Sequence, residues 1–470
     1  MNPLSKLLLG SDDTRLFSSQ RTTHTYVIGQ PGTGKSRALE SWAMQDILAG
    51  RGVTVIDPHG DLFQHLLLRV AALPADIRQR VVIVDPCDPK WVVSFNPLDS
   101  VDKHSLERTA LFLTDVVIKI WRIDVASAPR LVWLLTNSFL ALADLGLTLL
   151  DLPRFLLDTS FREQVLPKVT HAGVRAYFTQ EFPTRDTAIH QWVAPVLNKI
   201  SGLIFDSDLR LFVAGQATLT FREVLHRKLI VLVHLPKGLI GERPSALLGA
   251  FIVAQIQKAA LARTNRVSRP PYYLYLDEFQ HYTTDNIQDI LSESRKYGLS
   301  LLLAHQYLDQ LSGELKSAVL NTTGTLCAFR VGYDDAFQLA KELFPTPDFI
   351  TKTQRTFKLR RVSRLPLVWL SEREQPVGWE GLAHELAGQP TRQFWMRRRE
   401  LARPVRLRTL EVPDMKRTQA TLANVQALRD SSGERYGRLK SVLAREVAQN
   451  YQRFTVNTAA TSESVPLWGA

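Results

Sequence analysis

Cysteine is scarce. The 470 residues hold two, Cys87 and Cys327, far apart and in no CxxC or metal-ligand spacing. That excludes a disulfide scaffold and a cysteine–zinc module, and points to a reduced compartment with both thiols buried. Long apolar runs are also missing. LVWLLTNSFLALADLGLTLLDL is interrupted by Asn137, Asp144 and Asp151, and ALLGAFIVAQIQKAALA by Gln255, Gln257 and Lys258. A membrane span needs roughly 20 apolar residues in a row, so both read as core helices. The opening MNPLSKLLLGSDDTRLF has too short an apolar run for a signal peptide, and a cytoplasmic protein is expected. No internal repeat is present. Acid is in deficit too: 46 Asp and Glu stand against 58 Lys and Arg, a net charge of +12. Such a balance suits a polyanionic partner. Between Lys352 and Arg417 there are 16 basic and 7 acidic residues. A solvated basic face with no partner is the alternative account of that cluster.

What remains is ordinary globular material, 45% hydrophobic and 22% charged, in a chain too long for one typical domain. Apolar runs of strand length occur at 25–29, 53–57, 81–85, 229–235, 272–277, 299–305 and 325–331. Several are apolar at nearly every position, as in parallel strands covered on both faces, and helical patterns separate many of them. The expected class is α/β, with a largely parallel sheet. From about residue 100 to 225 the periodicity is helical throughout, for example in SLERTALFLTDVVIKIW, APRLVWLLTNSFLALADL and HQWVAPVLNKISGLI. The organisation that follows is an α/β core in two parts, 1–100 and 226–350, around an inserted all-α domain at 101–225. A basic β-rich extension at 351–413 comes next, carrying TFKLRRV, LPLVWLS, RQFWMRR and PVRLRTLEV. Terminal helices and a disordered tail are expected over 414–470.

The chemistry is concentrated in GQPGTGKS, a complete G-x-x-x-x-G-K-[ST] between an apolar strand and a helical pattern. Its residues are Gly29, Gln30, Pro31, Gly32, Thr33, Gly34, Lys35 and Ser36. The glycines let backbone N–H groups turn inward on β- and γ-phosphates, and the helix start adds its positive end. Lys35 would reach the terminal phosphates and the Ser36 hydroxyl would ligate Mg²⁺. YYLYLDEFQ supplies the acids that such a loop requires. Asp277 would hold Mg²⁺ through water, and Glu278 would polarise the attacking water. LSLLLAHQ ends in His305-Gln306, where Gln306 can meet the γ-phosphate and His305 serves as a neighbouring hydrogen-bonder. VIDPHGDL ends another strand. Asp57 lies there either near the nucleotide or in a Pro-Gly turn, with Asp61 capping the next helix.

Taken in order, GQPGTGKS, VIDPHGDL, YLDEFQ, SESRKYGLSLLLAHQ and NTTGTLCAFRVGYDDA resemble the HerA/FtsK superfamily of P-loop ATPases over residues 20–350. The likeness is nearest to the soluble ATPase region of the coupling proteins of type IV secretion and conjugative DNA transfer. The P-loop is generic, whereas DPHGD and the S-R-x-x-G stretch leading to a Gln are specific. The resemblance implies a RecA-like core, ATP and Mg²⁺ as cofactors, a homo-hexameric ring, and DNA as the track. It also implies an arginine lent to the neighbouring subunit's nucleotide. Arg295, in ESRKYG, matches that position, with Arg330 and Arg210 as weaker alternatives. The helical insert matches the coupling proteins. Two features depart: only 28 residues precede Gly29, too few for the N-terminal β-barrel of HerA proteins, and the transmembrane helices of anchored coupling proteins are absent.

The leading functional reading is an ATP-driven hexameric DNA translocase of coupling-protein or HerA type. A protein-secretion or assembly ATPase of the same superfamily is the second, and an ATP-assembled DNA-binding scaffold the third. A nuclease, a relaxase or a secretion channel are the partner classes the resemblance leaves open. The residues do not choose between single- and double-stranded DNA.

Overall fold

The computed structural model describes residues 6–8, 15–21, 23–99, 106–213, 217–263, 269–282, 291, 293–344, 351–362, 365–376, 378–399 and 403–456. The main-sheet strands are β1 (Thr25–Ile28), β2 (Gly52–Asp57), β3 (Val81–Val84), β4 (Ile230–His234), β5 (Tyr272–Leu276), β6 (Leu299–His305), β7 (Thr325–Ala328), β8 (Gln393–Arg398) and β9 (Val405–Arg408). They form one nine-stranded sheet in the order β9-β8-β7-β1-β6-β5-β2-β4-β3. Neighbours β7–β1, β1–β6, β2–β4 and β4–β3 are parallel; β7–β8 and β8–β9 are antiparallel. The fold is therefore the expected α/β, mostly parallel. All seven apolar runs contain strands, and every strand residue within them is buried, as expected of a sheet covered on both faces.

The chain folds as two compact units, each discontinuous in sequence. The first comprises residues 1–49, 273–280 and 285–414. Helix Lys35–Leu48 buries Ala38, Leu39, Trp42, Ala43 and Ile47. Trp42 meets Phe394 of β8 edge-on, and Phe394 stacks on Phe329 at 4.9 Å between centroids. Beneath that helix lies a buried polar network. The Arg21 guanidinium makes a fork to Asp46, one arm of it 2.6 Å long, and the Tyr275 hydroxyl donates to the same carboxylate at 2.6 Å. Arg21 also sits 3.8 Å from the Tyr273 ring centroid. A buried charge persists only when paired and hydrogen-bonded, and this one ties the helix to β5. In β8 only alternate residues turn inward, so Phe394 and Met396 reach the core as the period of two requires. Strands Thr351–Val362 and Leu365–Pro376 form a separate antiparallel pair.

The second unit comprises residues 50–272, 281–284 and 415–470. Between the short strand Trp91–Val92 and β4 the described residues form helices and no strand. Helix Leu106–Ile120 packs on Pro129–Asp144 and on Glu242–Leu261. Phe155, Phe178 and Phe182 form an aromatic knot inside this helical part. Glu242–Leu261 is the one described helix long and apolar enough to cross a membrane, and 72% of its most apolar window is buried in the protein. Helix Gln419–Tyr436 returns to pack on β3 and on Asp61–Ala71. The expectation of two buried thiols fails at Cys87, which is exposed; only Cys327 is buried. Cys87 lies just past the end of β3 in a turn closed by its own N–H on Asp85 Oδ1 at 3.0 Å, so it leaves the core with the chain.

Candidate active site

The first unit brings four of its strand ends together around the phosphate loop. β1 ends at Ile28, and the loop is hung between its neighbours: Gly29 N–H donates to His305 O at 3.3 Å, and Gln30 N–H to Arg330 O at 2.8 Å. Gly32 and Gly34 have φ of +74° and +108°, left-handed values that a side chain would strain. Thr33 is buried and closes the loop with its hydroxyl on Gln30 O at 2.7 Å. Helix Lys35–Leu48 starts directly after Gly34 with no side-chain cap, so its first N–H groups remain available for an anion. Lys35 is buried, and its ammonium donates to Gly29 O and, at 3.4 Å, to Gln30 O. Burial pulls its pKa below the ordinary lysine value, and the carboxylates of Asp277 and Glu278 oppose that shift. Gln30, Pro31, Gly32 and Ser36 are exposed.

β5 delivers the acid pair, with Asp277 6% and Glu278 4% exposed, to the edge where the loop lies. Glu278 has φ +49°, left-handed for a residue that has a Cβ, and such strain gathers at functional sites. Both of its carboxylate oxygens are engaged. Gln306 Nε2 donates to Oε1 at 2.9 Å, and Gln280 Nε2 to Oε2 at 2.8 Å. Gln306 is itself steadied by its N–H on Gln310 Oε1 at 3.1 Å. His305 is fully buried, its Nε2 hydrogen-bonded to the Tyr26 hydroxyl and its ring against Tyr26 and Phe279. Burial first, and the Lys35 charge second, hold its imidazole down at about 3. It is neutral at physiological pH.

Loop, Lys35, Asp277, Glu278 and Gln306 thus form one cluster. Arg295 stands outside its hydrogen bonds, exposed on the turn Ser294–Tyr297. Arg330 is half-buried beside the loop, and Arg210 belongs to the second unit. Asp57 also lies in the second unit, where its carboxylate accepts from His59 N–H at 2.8 Å and Phe63 N–H at 2.9 Å. It is therefore Asp57, not Asp61, that caps helix Asp61–Ala71; Gly60, at φ +96°, brings the chain back under it. Sequence reasoning missed two participants. Gln280 was legible only as the fourth residue of DEFQ. Arg392 is 356 residues beyond Ser36, the end of the loop it serves (392 − 36), yet its N–H donates to Thr33 O of that loop at 2.8 Å.

Hard oxygen donors suit Mg²⁺, and the Ser36 hydroxyl with the Asp277 carboxylate is such a set. Among the described residues no group of three or more His, Cys, Asp or Glu could hold a metal ion unaided. The donor set therefore fits an ion that takes most of its ligands from phosphate and water.

No family model matches the sequence, and no curated protein matches it. Solved structures do. The bacterial conjugative coupling protein TrwB, in its unbound ΔN70 form, superposes with a TM-score of 0.62 at 15% identity, over 89% of this chain and 92% of that one. TrwB in complex with ADP and Mg²⁺ gives 0.58 at 13%, over 87% and 90%. VirB4 of Thermoanaerobacter pseudethanolicus gives 0.55 at 15%, over 88% and 98%. This chain has the fold of the conjugative coupling protein TrwB and of VirB4.

Proposed function

We propose that the protein is a Mg²⁺-dependent ATPase that drives DNA through a homo-hexameric ring, in the manner of conjugative coupling proteins. The observation that carries this reading is the cluster on the first unit. A buried lysine in a phosphate loop, an acid pair and a glutamine meet at one sheet edge, with the glutamine bonded to the acid at 2.9 Å. Solved TrwB complexes with ADP and Mg²⁺, and with non-hydrolysable ATP and GTP analogues, support nucleotide chemistry on this fold.

The loop amides after Pro31 would hold the β- and γ-phosphates, since those of Gly29 and Gln30 are already given to His305 O and Arg330 O, and Lys35 would swing from its carbonyl partners to the terminal phosphates. Ser36 and Asp277 hold Mg²⁺, which when bound offsets negative charge on the phosphate oxygens. Glu278 orients a water and accepts its proton through the acceptor sites that its two amide partners leave open, one on each carboxylate oxygen. A γ-phosphate would compete for the N–H of Gln306. Arg295, exposed on its turn, is lent to the neighbouring subunit. A net charge of +12 supports a polyanionic track.

ATP hydrolysis by the full chain with no DNA, with single strands and with duplex, alongside mass measurement of the assembly, tests this directly. DNA-stimulated turnover by a hexamer is expected. Turnover indifferent to DNA would reject the translocase reading.

A further inference from the structure

The nucleotide reading fixes one end of the ligand and leaves the other to be found. Asp277, Glu278 and Gln306 lie on β5 and β6, to one side of β1 and its loop. A triphosphate whose γ end meets those residues passes over Lys35 and carries its nucleoside to the opposite side, where β7 and β8 lie. Arg392 lies on that side of the loop, immediately before β8.

Arg392 combines a tightly held backbone with a loosely held charge. Its N–H donates to Thr33 O at 2.8 Å, and its own carbonyl accepts from Thr409 N–H at 2.8 Å. A Cβ built on Gly34 would come within 3.2 Å of Arg392 Cα and 3.4 Å of its Cγ, so the arginine lies directly on the loop. Its φ is +70°, a left-handed value maintained by the two hydrogen bonds rather than by any preference of arginine. Among the described residues the guanidinium has long contacts: 3.4 Å and 3.5 Å to the hydroxyl and carbonyl of Thr409, and 3.6 Å to the carboxylate of Glu411, which is 84% exposed. Arg37, the other cation at this end of the loop, is already paired with Glu40 at 3.0 Å and with Asp414.

We propose that Arg392 is a nucleobase-binding residue, laying its guanidinium plane on the ring face of the bound nucleotide. Guanidinium groups are weakly hydrated and stack on aromatic faces, and a stack of this kind accepts any purine. The antiparallel β8–β9 edge thereby serves the active site as the wall against which the base rests. This inference rests on the nucleotide reading above and extends it from the phosphates to the base.

Calorimetric titration of the full chain with ATP, GTP and inorganic tripolyphosphate, each with Mg²⁺, separates the two ends of the ligand. Arg392→Gly removes the guanidinium and accepts the left-handed φ without strain, so it should unfold at the wild-type temperature. It is expected to lose about tenfold in affinity for ATP and GTP alike, as a desolvated cation–ring contact supports. Tripolyphosphate should bind it unchanged. Arg392→Lys keeps charge and backbone strain but not the plane, and should recover little. Full recovery by lysine, parallel loss of ATP and tripolyphosphate, or unaltered ATP binding by Arg392→Gly would each overturn the base contact. A wild-type protein that binds neither ATP nor tripolyphosphate would instead remove the nucleotide reading itself.

Discussion

Glu278 is the residue proposed to take the proton, and its geometry is unusual in two respects: a left-handed backbone and two amides on its carboxylate. Glu278→Gln keeps the size of the side chain and removes the proton acceptor, so it should bind ATP as well as wild type and lose turnover. Equal turnover in the two proteins would show that another group takes the proton. Lys35→Ala should fail earlier, at binding, as an equilibrium titration would register. Two buried imidazoles add a pH dependence. His24 accepts from Leu301 N–H through Nδ1 and donates to Leu291 O through Nε2, both at 3.0 Å. Burial holds it at about 4, with the Arg295 charge adding to the shift, and His305 at about 3. Both are lowered from 6.5, so below that pH the unfolded chain binds protons that the folded chain refuses. Stability should hold above pH 6.5 and fall progressively as pH drops towards about 4, measured as the urea midpoint. His24→Asn should flatten part of that slope. An unchanged slope would mean that His24 is not buried neutral.

At the scale of elements, the sheet was legible because each strand is apolar at nearly every position and ends at a turn signal. The candidate site was legible in the same places, since the phosphate loop, the acid pair and Gln306 all sit where apolar strands stop. What escaped depends on the return of the chain from far away. β8 joins β7 antiparallel, and a strand partner so distant leaves no local signature. The run Arg397-Arg398-Arg399 reads as a basic patch, yet strand alternation buries Arg398, and Arg397 spends a guanidinium donor on Glu342 O. Only Arg399 of the three is exposed. The helix Gln419–Tyr436 gives a second case. Its pattern is only weakly amphipathic, but Arg429 pairs with Asp85 at 2.9 Å and Asp88 at 2.8 Å, and Gly433 lies under the Trp91 ring. A Cβ at Gly433 would fall 2.1 Å from that ring. Gly433→Ala should therefore destabilise the second unit by about 1–3 kcal/mol, the usual cost of overpacking, as denaturant unfolding would report. A neutral result would show that the helix is not packed there.

At the scale of the whole molecule, the question is whether the site is complete within one chain. The first unit supplies a loop, a lysine, two acids and a glutamine; of the arginines around the loop, Arg37 is paired, Arg392 is the proposed base contact, and Arg330 is half-buried. Transition-state charge on the γ-phosphate needs a further cation, and Arg295 is exposed on a turn outside the cluster. If a neighbouring subunit lends it, turnover belongs to the ring and not to the chain. Arg295→Ala should then bind ATP nearly as wild type, assemble to the same mass, and lose roughly 10³-fold in turnover. Mixing it with Lys35→Ala protein should restore part of the activity, because some interfaces then join an intact Arg295 to an intact Lys35. DNA affinity of the same variant should be unaltered and should fall steeply for both proteins between about 50 and 200 mM salt, as counterion release demands. Near-normal hydrolysis by assembled Arg295→Ala protein would transfer the role to Arg330 or Arg210. Loss of assembly together with turnover would make Arg295 an interface residue and leave the trans cation unassigned.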